Sequence, residues 1–179
     1  VSRIALPRPD DFHAHLRRGP SMPAYARREA AWFGRCLAMP NTVPPIASGP
    51  ELEAYRAEIA AAAPGLTPLM AFKLLPGMGR EAVLGCARAG AVAGKYYPAG
   101  STTNAADGVP EPGAVLEELA AMEEAGLVLS IHPEDPAAPV LEREAAFLPR
   151  VDLILARFPR LRVVLEHLST RAVLEYLLA

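Results

Sequence analysis

The feature that most constrains the fold is a repeated alternation of short apolar runs with segments of helical periodicity. Six such strand–helix units follow one another along the 179 residues. The predicted strands are about Arg3–Leu6, Arg35–Met39, Thr67–Leu74, Val92–Tyr97, Leu127–Ile131 and Arg162–Glu166. The predicted helices run from Ser21, Gly49, Glu81, Glu111, Leu141 and Thr170 to about Ala31, Pro64, Ala89, Ala125, Phe158 and Leu178, and the fifth is a candidate for a break at Pro149.

Strands and helices in strict alternation imply parallel strands with right-handed crossovers, so the fold class is α/β. An open doubly wound sheet and a (β/α)8 TIM barrel both satisfy this pattern. A nucleotide-binding open sheet often carries a glycine-rich loop after its first strand, whereas this chain carries His13-Ala14-His15 there. The barrel is therefore favoured.

A complete barrel of this type has eight units and typically about 250 residues. The six units here predict a single hydrolase-type barrel domain over residues 1–179 whose C-terminal part is missing. Such a partial barrel would leave two strand edges open, and its isolated chain is expected to be inactive or poorly soluble.

Composition excludes several classes of protein. The net charge is −2 and there is no basic run, which argues against nucleic acid as a partner. There is no apolar stretch of membrane-spanning length, so no membrane association is expected. Cys36 and Cys86 lack a metal or redox spacing and are expected to be reduced core residues of a cytoplasmic protein.

The ends of the predicted strands carry the residues that could perform chemistry. Each of the four histidines of the chain lies there, and a lysine lies within the fourth strand: His13, His15, Lys95, His132 and His167. Because the carboxyl ends of parallel strands form one rim, these groups are expected to converge. Neutral imidazole is the commonest nitrogen ligand of zinc, so the rim is predicted to hold a metal.

Two further residues and one loop lie near the predicted metal. Arg17 would place an anion-binding charge beside it, and Asn41 follows the second strand. Lys95 has two interpretations, an ion pair with Glu166 or a neutral amine that forms a metal-bridging carbamate. The polar segment 101–104 is either an ordinary loop or a lid over the site. Glu134 is a hydrogen-bond partner of the metal ligands, a solvated acid or part of the next helix cap.

Several motifs resemble those of the dihydroorotases of the amidohydrolase superfamily, in order and through nearly the whole chain. They are Pro9–Arg17, Met39–Thr42, Lys95–Asn104, Glu142–Ala145 and Glu166–Thr170.

The resemblance implies a zinc-dependent cyclic amidohydrolase that interconverts N-carbamoyl-L-aspartate and L-dihydroorotate in pyrimidine biosynthesis. It implies two zinc ions bridged by a carboxylated Lys95, one held by His13 and His15 and the other by His132 and His167. It also implies that Arg17 and Asn41 bind the substrate carboxylate, and that the lid residues Thr102 and Thr103 act in catalysis. The proton-shuttling aspartate of the family would lie on an eighth strand, outside these residues. The expected partners are a small-molecule substrate and, as an assembly to test, a second copy in a homodimer.

Two alternatives remain open from the sequence. A hydantoinase-like cyclic amidohydrolase would share the metal ligands, although Arg17, Asn41 and the Thr102–Thr103 loop favour an acidic ring. A non-catalytic metal-binding relative would have no chemical need for all four histidines together with Lys95.

Overall fold

A computed structural model describes residues 4–179 and places six strands in one parallel sheet. The strands are β1 (Asp10–Ala14), β2 (Arg35–Ala38), β3 (Thr67–Lys73), β4 (Ala91–Tyr96), β5 (Val128–Ile131) and β6 (Arg162–Leu165). The helices are α1 (Met22–Trp32), α2 (Gly49–Ala62), α3 (Gly79–Arg88), α4 (Leu116–Glu124), α5 (Arg143–Arg157) and α6 (Arg171–Leu178), with short 3-10 turns at Pro112–Val115 and Val140–Glu142.

The order of the strands in the sheet decides between the two predicted architectures. The order is β1-β2-β3-β4-β5-β6, with every neighbouring pair parallel. A doubly wound sheet reverses direction along its strand order, whereas a barrel adds each new strand on the same side. The chain therefore forms six units of a TIM-type barrel, and among residues 4–179 β1 and β6 are the two edges.

Most of the core lies between the sheet and the helices. Large side chains such as Tyr55, Phe72 and Phe147 are fully buried in this outer layer. A smaller apolar cluster of Leu37, Met39, Ala71 and Ala93 lies on the other, concave face. Among the described residues no helix has the length and apolar character that a membrane crossing requires.

The prediction for the first strand was wrong. Arg3 lies outside the described residues, and Ile4 and Leu6 form no strand and are more than four-fifths exposed. The strand forms later, at Asp10–Ala14, where Asp10 pairs in register with Arg35 and their side chains form an ion pair. Hydrogen bonding to β2 thus selected a polar segment over the apolar run, and it places His13 within the strand.

Two helix predictions also changed in detail. α5 continues through Pro149 without a break. Pro149 and Ala145, whose carbonyl loses its helical partner, are both exposed, so water can satisfy that carbonyl. The predicted helix from Glu111 begins with the 3-10 turn and becomes α-helical only at Leu116.

Both cysteines are free and buried, as the sequence predicted. Burial raises the pKa of the Cys36 thiol to about 12 and that of Cys86 to about 12. Neither thiol therefore offers a reactive thiolate at neutral pH.

Candidate metal centre at the carboxyl rim

A polar cavity of about 240 Å³ opens at the carboxyl ends of the strands. Most of the side chains that the sequence singled out line it, from the end of β1 and from the segments that follow β1, β2, β4, β5 and β6. They are His13, His15, Arg17, Asn41, Thr102, His132 and His167, together with Tyr97 and Glu134.

The sheet hydrogen bonds extend to the rim and set the height of the site residues. The amide of His132 donates to the carbonyl of Tyr96 at 3.0 Å, and the amide of Glu166 donates to the carbonyl of Ile131 at 3.1 Å. Residues at the ends of adjacent strands are thereby held level, because parallel ladders fix register.

The four imidazoles meet, as the sequence predicted. His13 and His15 have their Nε2 atoms 3.2 Å apart, and the ring centroids of His132 and His167 lie 4.5 Å apart. The rings of His13 and His167, which come from the two edge strands, are 5.4 Å apart. The sheet is therefore curled enough to bring its first and sixth strands to the same site.

His15 and His132 are held in the neutral form that binds metal. Burial lowers the pKa of His15 to about 4, with the charge of Arg17 adding to the effect. Burial also lowers the pKa of His132 to about 3, with His167 and Lys95 contributing in the same direction. Deprotonated imidazole lone pairs are therefore present at neutral pH.

Two carboxylates join the histidines, and sequence reasoning did not assign either to the metal. The possible ligand atoms of His13, Glu166 and His167 lie within 4.8 Å of one another, and so do those of His132, Glu134 and His167. His167 belongs to both groups. His132 and His167, one of the expected pairs, share the second group, whereas the first group joins His13 to Glu166 and His167 and does not include His15, its expected partner.

Lys95 lies below the imidazoles with its side chain fully buried. Its ammonium contacts Oε2 of Glu166, and the same oxygen lies 3.0 Å from Nδ1 of His13. Burial lowers the pKa of Lys95 to about 8, although the Glu166 charge opposes this shift. Burial by itself raises the pKa of Glu166, but His13 and Lys95 outweigh it and lower the pKa to about 2. At neutral pH the structure thus holds the ion pair that was one of the two interpretations of Lys95.

Arg17 and Asn41 are connected to the loop that carries the two threonines. Arg17 Nη1 donates to the Asn41 carbonyl at 3.0 Å, and Asn41 Nδ2 donates to the Thr103 carbonyl at 2.6 Å. Oδ1 of Asn41 is buried without a hydrogen-bond partner among residues 4–179, so an acceptor site remains available there. Thr102 lines the cavity, whereas Thr103 contributes its carbonyl to this network.

Tyr97 is a site residue that sequence reasoning missed. It is buried, lines the cavity, and its hydroxyl has no hydrogen-bond partner within residues 4–179. Its ring lies 5.1 Å from the ammonium of Lys95 and 6.2 Å from the ring of His132. Its position directly after β4, two residues beyond Lys95, was the available signal, since residues two apart on a strand share a face.

Two of the site residues have a backbone conformation that is unfavourable for side chains of their size. Arg17 has φ 37° and His167 has φ 44°. Left-handed conformations outside glycine cost about 1–3 kcal/mol and persist where the surroundings enforce them, often at functional sites.

Comparisons with known proteins agree with the motifs and the geometry, although no family model matches the chain. A dihydroorotase from Teredinibacter turnerae is 41% identical over 179 residues, which are 97% of this chain and 52% of that protein. The crystal structure of a Saccharomyces cerevisiae dihydroorotase in complex with 5-fluoroorotic acid superposes with a TM-score of 0.89 and 30% identity. That alignment covers 93% of this chain and 49% of the yeast chain.

An L-hydantoinase (dihydropyrimidinase) from Arthrobacter aurescens has the same fold, with a TM-score of 0.79 at 18% identity over 95% of this chain and 43% of that one. That likeness extends to the fold alone, whereas the likeness to dihydroorotases includes the sequence. Residues 4–179 therefore resemble dihydroorotases in both sequence and fold, and the chain spans about half the length of the relatives it matches.

Proposed function

We propose that this protein is a zinc-dependent cyclic amidohydrolase that interconverts N-carbamoyl-L-aspartate and L-dihydroorotate. The observation that carries the proposal is the convergence of four histidines and Lys95 at one rim, beside Arg17 and Asn41. The similarity to dihydroorotases supports the choice of reaction.

The donor set suits zinc. Neutral imidazoles and carboxylates are its usual nitrogen and oxygen ligands, and Nε2 of His132 is buried and 3.3 Å from Glu134 without aligning for a hydrogen bond. His13, His15, His132 and His167 would hold two ions, with Glu166 and Glu134 close enough to contribute. When bound, the metal supplies Lewis acidity that polarises the ring amide carbonyl and lowers the pKa of water.

Lys95 would be the bridging group in carboxylated form. Its neutral amine adds to carbon dioxide with formation of an N–C bond and loss of one proton, and its lowered pKa makes that amine accessible near pH 8. The product is an anion next to Glu166, which now contacts the ammonium. Two buried anions repel each other, so carboxylation would be coupled to the binding of cations between them.

The substrate class follows from Arg17 and Asn41. A guanidinium and an amide beside the metal would bind the carboxylate that dihydroorotate carries and that a neutral hydantoin ring lacks. Thr102 would face the bound ring from the loop. We extend the proposal to a cytoplasmic protein, and a homodimer remains an assembly to be tested.

Substitution of His132 tests the proposal in the full-length protein. His132→Ala should lower zinc content by about half or more and abolish turnover of dihydroorotate, because one imidazole is lost from the cluster. The matched control is Arg88→Gln, whose side chain is 67% exposed on α3 and which should leave both values unchanged. Metal analysis and a dihydroorotate assay on the same samples measure the two effects.

The outcomes separate the alternatives. Unchanged zinc and rate in His132→Ala would remove this residue from the site. A wild-type protein that binds zinc but hydrolyses hydantoins in preference to dihydroorotate would support the hydantoinase-like alternative. Zinc binding without turnover of either ring would support the non-catalytic relative.

A further inference from the structure

Lys73 is a second buried lysine beside the site, and the proposed chemistry does not use it. It ends β3, pairs in register with Lys95, and its side chain is only 1% exposed. Its ammonium donates to the carbonyl of Asn104 at 2.7 Å and pairs with the carboxylate of Asp107. Both partners lie on the loop 98–109, which carries Thr102 and Thr103.

The base of this loop is closed by its own backbone. The amide of Val109 donates to the carbonyl of Tyr97 at 2.8 Å, and the amide of Ala99 donates to the carbonyl of Val109 at 3.0 Å. The tip of the loop, residues 103–107, is held by side chains from the sheet at two points. Asn41 donates to the Thr103 carbonyl, and Lys73 contacts the segment 104–107. The position of the tip therefore depends on side chains that follow β2 and end β3.

The two side chains of the Lys73–Asp107 pair differ in burial, and this difference determines which of them depends on the closed position of the tip. Asp107 is 52% exposed, so water would solvate its carboxylate if the tip lifted. Lys73 would lose both its ion pair with the carboxylate and its hydrogen bond to the carbonyl of Asn104. In the closed position a buried cation without these partners would be strongly unfavourable, so the Asp107 carboxylate is what allows the tip to lie over Lys73.

We propose that Lys73 and Asp107 form a latch that holds the loop 98–109 over the metal centre. Lys73 is thus a positioning residue, acting on substrate through Thr102 and Thr103. The latch itself follows from the contacts of Lys73, whereas its effect on turnover rests on the proposed function.

Three variants test the latch: Asp107→Asn, Lys73→Met and the double variant. Asp107→Asn leaves the buried cation without its carboxylate and should speed hydrogen exchange at the loop amides of Gly100, Ala105 and Gly108 by about tenfold. The double variant should exchange more slowly than Asp107→Asn, because it removes the unpaired cation as well. Asp107→Glu should restore slow exchange, since it keeps the charge.

Exchange at the β3–β4 ladder is the internal control, because a latch defect leaves those amides protected. Faster exchange at both the loop and the ladder would indicate general destabilisation and overturn the proposal. Unchanged loop exchange in Asp107→Asn would also overturn it. If Asp107→Asn does not fold, Lys73→Met carries the test with the same expected increase confined to the loop.

A kinetic readout separates the latch from the proposed function. In the metal-loaded full-length protein, Asp107→Asn should raise the KM for dihydroorotate by about tenfold and change kcat by less than about twofold, because a smaller fraction of molecules is closed before binding. Zinc content should equal that of wild type. A wild-type protein without dihydroorotate turnover would overturn the proposed function, and the exchange experiment would still decide the latch.

Discussion

Glu144 shows how one side chain on a helix can shape a neighbouring loop. Its two carboxylate oxygens accept four hydrogen bonds, from the amide and hydroxyl of Ser169 at 2.8 and 2.7 Å and from those of Thr170 at 2.9 and 2.6 Å. These two residues follow His167 and lead into α6. The carboxylate thereby anchors the turn that keeps His167 in its left-handed conformation, φ 44°.

Glu144→Gln should destabilise the protein by about 2 kcal/mol at pH 7, because charge-assisted hydrogen bonds are lost and one oxygen becomes a donor. Burial alone raises the pKa of Glu144, but the Ser169 and Thr170 hydrogen bonds hold it below its ordinary value of 4.5. A lowered folded-state pKa stabilises above pH 4.5, and this stabilisation is lost as the pH falls through the folded-state pKa.

Urea denaturation at several pH values measures this effect. The difference between wild type and Glu144→Gln should shrink as the pH falls below 4.5. Glu142→Gln, at an exposed position two residues earlier, is the control and should change little at any pH. A difference that stays constant down to strongly acidic pH would contradict the role given to the Glu144 charge.

At the scale of the element, α2 begins with a variant of the capping box, in which Glu51 reaches back to the amide of Ala47, one residue before the N-cap Ser48. Ser48 Oγ accepts from the amide of Glu51, and Glu51 Oε2 accepts from the amide of Ala47 and the hydroxyl of Ser48, both at 2.9 Å. A serine followed three residues later by glutamate is the usual signature of this motif. By contrast, Ser21 precedes α1 without forming a side-chain cap.

Ser48→Ala should therefore cost about 1 kcal/mol of folding free energy, whereas Ser21→Ala should cost little. The two substitutions are chemically identical and differ only in the observed cap, so each is the control of the other. The urea concentrations at the midpoints of unfolding give the comparison, provided that the free energy of unfolding has the same dependence on urea concentration in both variants. Equal losses in both variants would contradict the capping role of Ser48.

At the scale of the whole molecule, the concave face of the sheet is apolar and open. It lines a cavity of about 380 Å³ with residues such as Phe12, Val92 and Val164, which are 59%, 40% and 45% exposed. β1 and β6 also leave strand edges unpaired within the described residues. Exposed apolar surface next to an open strand edge favours association.

The isolated 179-residue chain should therefore self-associate, and Val164→Lys should reduce this. Val164 lies on the edge strand β6 and faces the concave cavity, so a lysine there places a charge on the associating surface. Val140→Lys is the matched control, because Val140 is 73% exposed and lies in a turn outside the cavity. Light scattering at increasing protein concentration compares the two, and equal behaviour would contradict the role of the concave face.

The sequence by itself determined the number of strands after the first and their parallel direction. It also determined that the polar residues lie at the carboxyl ends of these strands. Five of six strands agree within about a residue at each end with their apolar runs. Strand periodicity and the placement of polar residues at strand ends are local properties, so His132, His167 and Lys95 could be assigned to one rim. The first strand could not be found, because its pairing with β2 depends on a partner 25 residues away.

Only the tertiary structure decided how the rim residues divide among themselves. The sequence left the pair of Glu166 with Lys95, 71 residues apart, as one of two interpretations, and it gave no sign that Lys73 would reach Asp107, 34 residues away. Such pairs depend on the curl of the sheet and on the path of a loop, which are set by packing across the whole fold and leave no periodic trace in the chain. The identity of the chemical groups was therefore legible in the sequence, whereas their partners were fixed only by folding.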